Sequence, residues 1–405
     1  MPATFAYKVR DREGRIVEGS LEADSSELVV NKLRSLGYVP VAIERADAST
    51  LKKDVKLPFG GRVKQKDVAV FSRQFATMIN SGLSLIRALH ILEEQSESEK
   101  LKETARSVRT DVERGASLAQ ALARHPKVFN RLYVAMVKAG ETGGVLDRVL
   151  LSLASTIEKQ VELRRKIKSA MTYPVAVFVI VILIVTAMLL FVVPTFETLY
   201  KDLGGQLPFP TRILLGVSRF VGKFAPFIIV AEVAAAWGLK RWVATDKGRA
   251  VWDSLKLRIP VFGKLVHKTA ITRFCRTLSV LLRSGVPVLE SLEITSETVG
   301  NTVLARAVKD TQEAVKSGES MATPLSKHPV FPPMVVQMLA VGEETGAVDD
   351  MLERVADFYD QEIEATVDAL TSLLEPLLIV VMGATVGGMV VALYMPMFNI
   401  INLVQ

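Results

Sequence analysis

Residues 71–83 read Phe-Ser-Arg-Gln-Phe-Ala-Thr-Met-Ile-Asn-Ser-Gly-Leu, and residues 274–286 read Phe-Cys-Arg-Thr-Leu-Ser-Val-Leu-Leu-Arg-Ser-Gly-Val. The two stretches align without a gap at an offset of 203 (274 less 71). In each, apolar residues recur at helical spacing around a single early arginine, and a Ser-Gly pair breaks the pattern. The register then holds for a whole domain. Gly115-Ala116-Ser117 matches Gly318-Glu319-Ser320, His125-Pro126 matches His328-Pro329, and Gly140-Glu141-Thr142-Gly143 meets Gly342-Glu343-Glu344-Thr345-Gly346 with a one-residue slip. Both copies then run into a proline-led apolar segment, at Tyr173-Pro174 and at Glu375-Pro376. A duplicated helical module with a duplicated anchor reads as a scaffold working on one side of a bilayer.

Those segments decide the broad class. Pro174 to Val193 carries no charge, and Thr186 is its only polar side chain; about 20 residues at 1.5 Å each cover a hydrocarbon core of roughly 30 Å. From Pro376 to Gln405 no side chain is charged, which makes a second span. Ile213 to Leu239 is apolar on average but holds Arg219, Lys223 and Glu232. If both repeats lie on one side of the membrane, this segment has to carry the chain back between them. Flanking charge agrees: Lys159 to Lys168 has five basic residues against Glu162, and Lys240 to Lys268 has eight Lys or Arg against Asp246 and Asp253. Basic flanks stay in the cytoplasm, so the N-terminus and both repeats are expected inside. The net charge of +7 then reflects positive flanks beside anionic lipid; no nucleic-acid-binding motif accompanies it. Met1 to Arg15 is polar and charged, unlike a cleavable signal peptide. Cys275 is the only cysteine, which excludes an intrachain disulfide and reads as a packed core thiol.

The expected fold is mainly α and polytopic, in ten segments. Residues 1–44 form a small α/β module: Phe5 to Val9 alternates as a strand, Asp11-Arg12-Glu13-Gly14 turns, Ile16 to Glu18 returns, Asp24 caps a helix that Gly37 stops, and Val39 to Ile43 is a third strand. Residues 45–66 are a basic linker, 67–170 the first cytoplasmic helical bundle, 172–194 the first transmembrane helix, 195–211 an external loop, and 212–239 the second transmembrane helix. A basic connector at 240–269, the second bundle at 270–373, a third transmembrane helix at 374–396 and an external tail at 397–405 complete the chain. Each bundle is expected to hold about half a dozen short helices packed antiparallel.

The paired Phe-x-Arg helices, Ser-Gly breaks, His-Pro turns and Gly-Glu-x-Gly loops, each copy followed by a span, resemble the inner-membrane platform protein of type IV pilus and type II secretion machines. The resemblance covers nearly the whole chain. It implies a platform that transmits motion from a hexameric cytoplasmic assembly or retraction ATPase to pilin or pseudopilin transmembrane helices, beside inner-membrane alignment proteins and as a homo-oligomer. Residues 73–78 look closer to the pilus branch, with type II secretion the alternative.

Several residues stand out as candidates. In the loops of Gly140, Glu141 and Gly143, and of Gly342, Glu343, Glu344 and Gly346, the glycines permit tight or left-handed turns and the carboxylates can cap a following helix, meet a partner, or bind a metal. Arg73 and Arg276 lie on apolar helix faces, where they could pair with those carboxylates or with a partner, an internal salt bridge being the plainer reading. Glu232 lies deep in the weakest span, so it should face the bundle interior unless the span is shifted toward an interface. Gly383 and Gly387 form a GxxxG pattern suited to close helix packing, with another span of this chain as the default partner. Pro194 and Pro396 are expected to end their spans.

Chemistry is not evident. Gly216 to Lys223 mimics a phosphate loop but has five residues between its glycines and no Ser or Thr after the lysine. His90, His125, His267 and His328 lack metal-ligand spacing. A transporter or channel is the rival reading, weakened by having three spans and one intramembrane acid.

Overall fold

In a computed structural model of the chain, residues 3–10, 16–23, 25–35, 38–45, 63–202, 209–260 and 262–400 are described. They divide into two compact units, residues 1–62 and 63–405. The expected turn at Asp11 to Gly14, the caps at Asp24 and Gly37, most of the linker, part of the external loop and the end of the tail lie outside the described residues.

In the first unit, β1 (Ala3–Arg10) is the centre of a sheet ordered β2-β1-β3, with β2 (Ile16–Ala23) and β3 (Val39–Arg45) antiparallel on its two sides. β2 is longer than its polar sequence suggests because all eight of its residues pair with β1, from Ala3 opposite Ala23 to Arg10 opposite Ile16. The β1–β3 register slips between Lys8 and Val9, where Pro40 faces Val9. A proline cannot donate to a ladder, so it is found at edges and irregularities such as this one. Helix α1 (Ser26–Ser35) buries Val29 and Leu33, one turn apart.

The second unit is helical wherever it has regular structure among the described residues. The first repeat comprises α2 (Gln65–Asn80), α3 (Leu85–Gln95), α4 (Glu99–Glu113), α5 (Leu118–Ala123), α6 (Arg131–Gly143) and the start of α7 (Leu146–Ala187). A π-turn (Met188–Val192) and α8 (Val193–Asp202) prolong α7; α9 (Phe209–Val243) and α10 (Asp246–Arg258) follow. The second repeat is α11 (Phe262–Arg283), α12 (Val288–Thr298), α13 (Thr302–Lys316), α14 (Ala322–Ser326), α15 (Pro333–Thr345) and the start of α16 (Val348–Ile400). Phe71, Phe75, Phe129 and Tyr133 stack in the first core, and Phe274 meets Phe331 edge-on in the second. The cores are joined, since Val280, Leu281, Val286 and Ile294 of the second repeat pack in the first repeat's cluster. Arg131 ties the repeats further by bridging to Glu293 and Glu297.

The boundary between bundle and span differs from the reading at Tyr173-Pro174. No break occurs there: Pro174 lies inside α7, and Pro376 inside α16. An interior proline costs one backbone hydrogen bond, a loss that helices in apolar surroundings absorb when neighbours supply the missing contacts. At 1.5 Å per residue, α7 is about 63 Å long and α16 about 80 Å. The segments Leu146–Phe196 and Val348–Met395 are long and apolar enough to cross a membrane. Only 6% and 17% of their most apolar windows are buried within the chain, which separates them from core helices of a soluble protein.

Pro194 does not end its helix either; α8 runs on from Val193. The π-turn explains how. Val193 N–H donates to Met188 instead of Leu189, and Pro194 has no N–H, so the Leu189 carbonyl is left without a helical partner. Ser218 of α9 donates its hydroxyl to that carbonyl at 2.5 Å. About two turns earlier on the same face of α9, Thr211 donates to the Ala392 carbonyl of α16 at 2.6 Å. These two hydroxyls stitch α9 to both apolar helices beside a small cluster of Leu189, Val193, Leu215 and Leu393. Ser218→Ala is expected to cost about 1 kcal/mol, read as a lower melting temperature of the detergent-solubilised protein. A Thr211→Val change should add to it, because the two bonds share no atom.

Candidate functional site

The repeated Gly-Glu motif sits where α6 turns into α7 and α15 into α16. Gly140 and Gly342 are helical and buried, and their role is close approach. A Cβ at Gly140 would lie 3.1 Å from Val149 Cβ, and one at Gly342 only 2.8 Å from Val348 Cα. The left-handed residues are Gly144 (φ 67°) and Gly346 (φ 73°), which close their helices. The slip seen in the sequence is therefore absent from the loop itself. Gly140 and Gly342, Glu141 and Glu343, and Gly144 and Gly346 all correspond at an offset of 202 (342 less 140), so Gly143 matches Thr345 and the missing residue falls earlier. Both loops close alike because a glycine occupies the left-handed position in each.

Glu141 does not cap a following helix. It reaches back to α5, where its carboxylate accepts from the N–H groups of Leu118 at 2.5 Å and Ala119 at 2.9 Å. Ser117 accepts from the next one, on Gln120, at 3.2 Å. The second repeat does the same: Glu343 accepts from Met321 at 2.6 Å and Ala322 at 3.2 Å, and Ser320 from Thr323 at 3.3 Å. Each carboxylate meets the positive end of a short helix and satisfies donors that have no intrahelical partner. Glu141→Ala and Glu343→Ala should each lower stability by about 1–2 kcal/mol, and a glutamine at either place should recover part of the loss in thermal denaturation. Glu344 and Gly143 are exposed beside the loops. Among the described residues, no group of three or more His, Cys, Asp or Glu converges to hold a metal.

Arg73 and Arg276 do not meet these carboxylates, because their helices turn that face toward α7 and α16. Arg73 forms a forked pair with Glu158. Arg276 reaches Asp360 at 2.5 Å and Asp357 at 3.1 Å. Glu158 and Asp360 correspond at the offset of 202, so the clamp between the first and last helices is itself duplicated. Hydrogen bonding from Arg73 holds the Glu158 carboxyl below its ordinary range. At Asp360 burial outweighs the Arg276 charge and pushes the carboxyl up. Asp357 resists its own burial and is drawn down by Lys159 and Arg276. Neither acid carried a sequence signal of its own; applying the repeat offset to α7 would have found the pair.

The remaining candidates point outward. Glu232 is exposed, as is every residue from Val230 to Trp242, because that half of α9 extends past the region where Thr211 and Ser218 bind its neighbours. It does not face a bundle interior. Gly383 and Gly387 have no atom within 4 Å of an added Cβ, so the GxxxG face is not packed against another span of this chain. α16 presents Met389, Ala392 and Leu393 inward instead. The His-Pro turns are structural: His125 bonds to Ser107 at 3.1 Å, and His328 lies 3.3 Å from Asp310 at the matching position. Cys275 is fully buried, and burial pushes its thiol up.

Comparison with known proteins matches this arrangement. The family described as type II secretion system (T2SS), protein F, matches residues 71–194 and again residues 274–396, and the family for that protein's N-terminal domain matches residues 1–44. A type IV pilus assembly protein PilC of Thermus thermophilus is 45% identical over 400 residues, covering 98% of each chain. The PilC of Myxococcus xanthus is 40% identical over 407 residues, 100% of this chain and 96% of its own. A type II secretion system protein F of Pseudomonas aeruginosa is 34% identical over 403 residues, 99% of this chain and 100% of its own.

Proposed function

The chain belongs to the type II secretion system protein F family, and from that premise we propose that it is the inner-membrane platform of a type IV pilus assembly machine. It couples a hexameric cytoplasmic ATPase to the insertion or extraction of pilin subunits and performs no chemistry itself. Relatives named for pilus assembly range from 33% to 45% identity and those named for secretion from 32% to 34%, and the upper end of the first range supports the pilus branch over the secretion alternative. The observation that carries the mechanical reading is the continuity of α7 and α16. A rigid helix that leaves a packed, salt-bridged bundle and enters an apolar stretch without a joint moves as one piece, so displacement of a bundle tilts or lifts its span.

In this reading α7 and α16 cross the membrane, α9 returns between them, and the N-terminus and both repeats are cytoplasmic. Basic flanks support the orientation, and the hydroxyl bonds from Thr211 and Ser218 support α9 as the third crossing. The outward faces at Glu232 and at Gly383 and Gly387 are left for pilin helices or a second copy, and the loops beside Gly143 and Glu344 for cytoplasmic partners. Cysteine labelling in intact cells tests the topology, since the buried native thiol of Cys275 is silent. Lys127→Cys and Glu319→Cys should react only with membrane-permeant maleimide, and Thr198→Cys with an impermeant one. Finding the two repeats on opposite sides would refute the platform. Co-purification of the chain with a pilus ATPase supports it; solute flux through vesicles holding the chain alone would favour a transporter.

A further inference from the structure

A cavity of about 630 Å³ opens between the repeats where α7 leaves them for its apolar half. One wall is Leu163, Ile167 and Met171, at four-residue spacing along α7 and ending three residues before Pro174. The rest is rich in cations, and the acids among them are already engaged. Glu297 is held by Arg131 and Asp360 by Arg276, while the cation Lys159 pairs with Asp357. Three cations lining the cavity have no carboxylate partner among the described residues: Arg164, whose guanidinium donates to the Gln65 amide oxygen at 2.6 Å, Lys168 and Arg273.

Arg273 is the informative one. It is mostly buried, and burial together with the nearby charge of Arg164 pulls its pKa down. A largely desolvated cation without an anion is costly, and such groups are rare unless something pairs with them. Arg273 lies against the α12–α13 turn: Gly300 there is left-handed, with φ 81°, and a Cβ on it would lie 2.6 Å from Arg273 Nη1. The repeat does not explain this, because the matching residue of α2 is Val70, an exposed aliphatic.

We propose that this cavity binds a phosphate-bearing anion held by Arg164, Lys168 and Arg273. Guanidinium groups take phosphate oxygens two at a time, and a lysine adds a point charge. The anion could arrive as the headgroup of an anionic phospholipid or as a free phosphate compound from the aqueous side. The apolar wall favours the lipid: Lys168 lies about 9 Å along α7 from Pro174, and acyl chains leaving the cavity would follow Ile167 and Met171 into the bilayer. The lipid source rests on the membrane placement proposed above, whereas phosphate binding does not.

The full-length protein, delipidated in a neutral detergent, is titrated with dioctanoyl phosphatidylglycerol, dioctanoyl phosphatidylcholine and inorganic pyrophosphate, by calorimetry and by melting temperature. Phosphatidylglycerol or pyrophosphate should bind saturably at one site and raise the melting temperature. Arg273→Gln and the more exposed Arg164→Gln should each weaken that binding about tenfold or more. Without ligand, Arg273→Gln should melt at or above the wild type, because it removes an unpaired charge; this separates lost binding from lost folding. Binding of pyrophosphate alone keeps the phosphate site and refutes the lipid source. Failure of both anions to bind, equal binding of phosphatidylcholine, or unchanged affinity in both variants overturns the proposal.

Discussion

Arg276→Met should lower the unfolding free energy by about 3 kcal/mol, at the low end of what breaking a buried pair costs, while Arg73→Met should cost at most about 1 kcal/mol. The two arginines hold equivalent places in the repeats and differ in burial. Arg73 and Glu158 are 41% and 39% exposed, so water screens their attraction and would rehydrate either partner. Arg276 is 8% exposed and Asp360 26%, so removing the guanidinium strands a largely buried carboxylate. Asp357, at 50% exposure, contributes little to the difference. The pH dependence gives an independent check. Asp360 already has its carboxyl pushed up in the folded state, and losing Arg276 pushes it further. A raised carboxyl favours the fold at pH values below its unfolded pKa and loses that contribution as pH rises through the folded value. The deficit of the methionine variant should therefore shrink as pH falls toward the ordinary carboxylate value of about 4. Equal losses at Arg73 and Arg276 in thermal denaturation, or a deficit that grows on acidification, would show that burial is not what distinguishes the two clamps.

Gly342→Val should be the second most damaging change, at about 2–3 kcal/mol. Its first added carbon meets the Cα of Val348, a backbone atom that cannot swing aside, at 2.8 Å. The α15–α16 corner would have to open, and the Glu343 carboxylate one residue on would be drawn from the N-terminus of α14. Gly140→Ala is the control. Its contacts are looser, 3.1 Å to Val149 Cβ and 3.2 Å to Leu146 Cα, and replacing a helical glycine by alanine returns up to about 1 kcal/mol of propensity, so the loss should be well below that at Gly342. In complementation of a pilus-deficient strain, Gly342→Val should fail at elevated temperature while Gly140→Ala assembles normally. Similar behaviour of the two would mean that the corner is looser than its geometry implies.

Much of the architecture was legible because two signals are local and strong. Apolar periodicity broken by Ser81-Gly82 and Ser284-Gly285 marks helix ends, and an uncharged stretch such as 174–193 has few soluble explanations. Family resemblance rested on the same residues. Partner choice was the illegible part. Glu141 and Glu343 read as caps of the next helix and instead cap one more than twenty residues back, and Arg73 and Arg276 find acids more than eighty residues away. Spacing along a chain predicts contacts within a helix or across a turn; which helix lies against which is a matter of packing.

From its residues alone the chain is a duplicated helical module with apolar anchors, because hydrophobic periodicity and run length depend only on the order of side chains. Tertiary packing alone decided that bundle and span are one helix through Pro174 and Pro376, and that Ser218 answers the carbonyl Pro194 leaves bare. It also decided that Glu232 and the Gly383–Gly387 face turn away from the chain, and that three cations without a carboxylate partner among the described residues gather around one cavity. These depend on which surfaces meet in space, which is set by the packing of whole helices and the satisfaction of buried polar groups rather than by any short stretch of sequence.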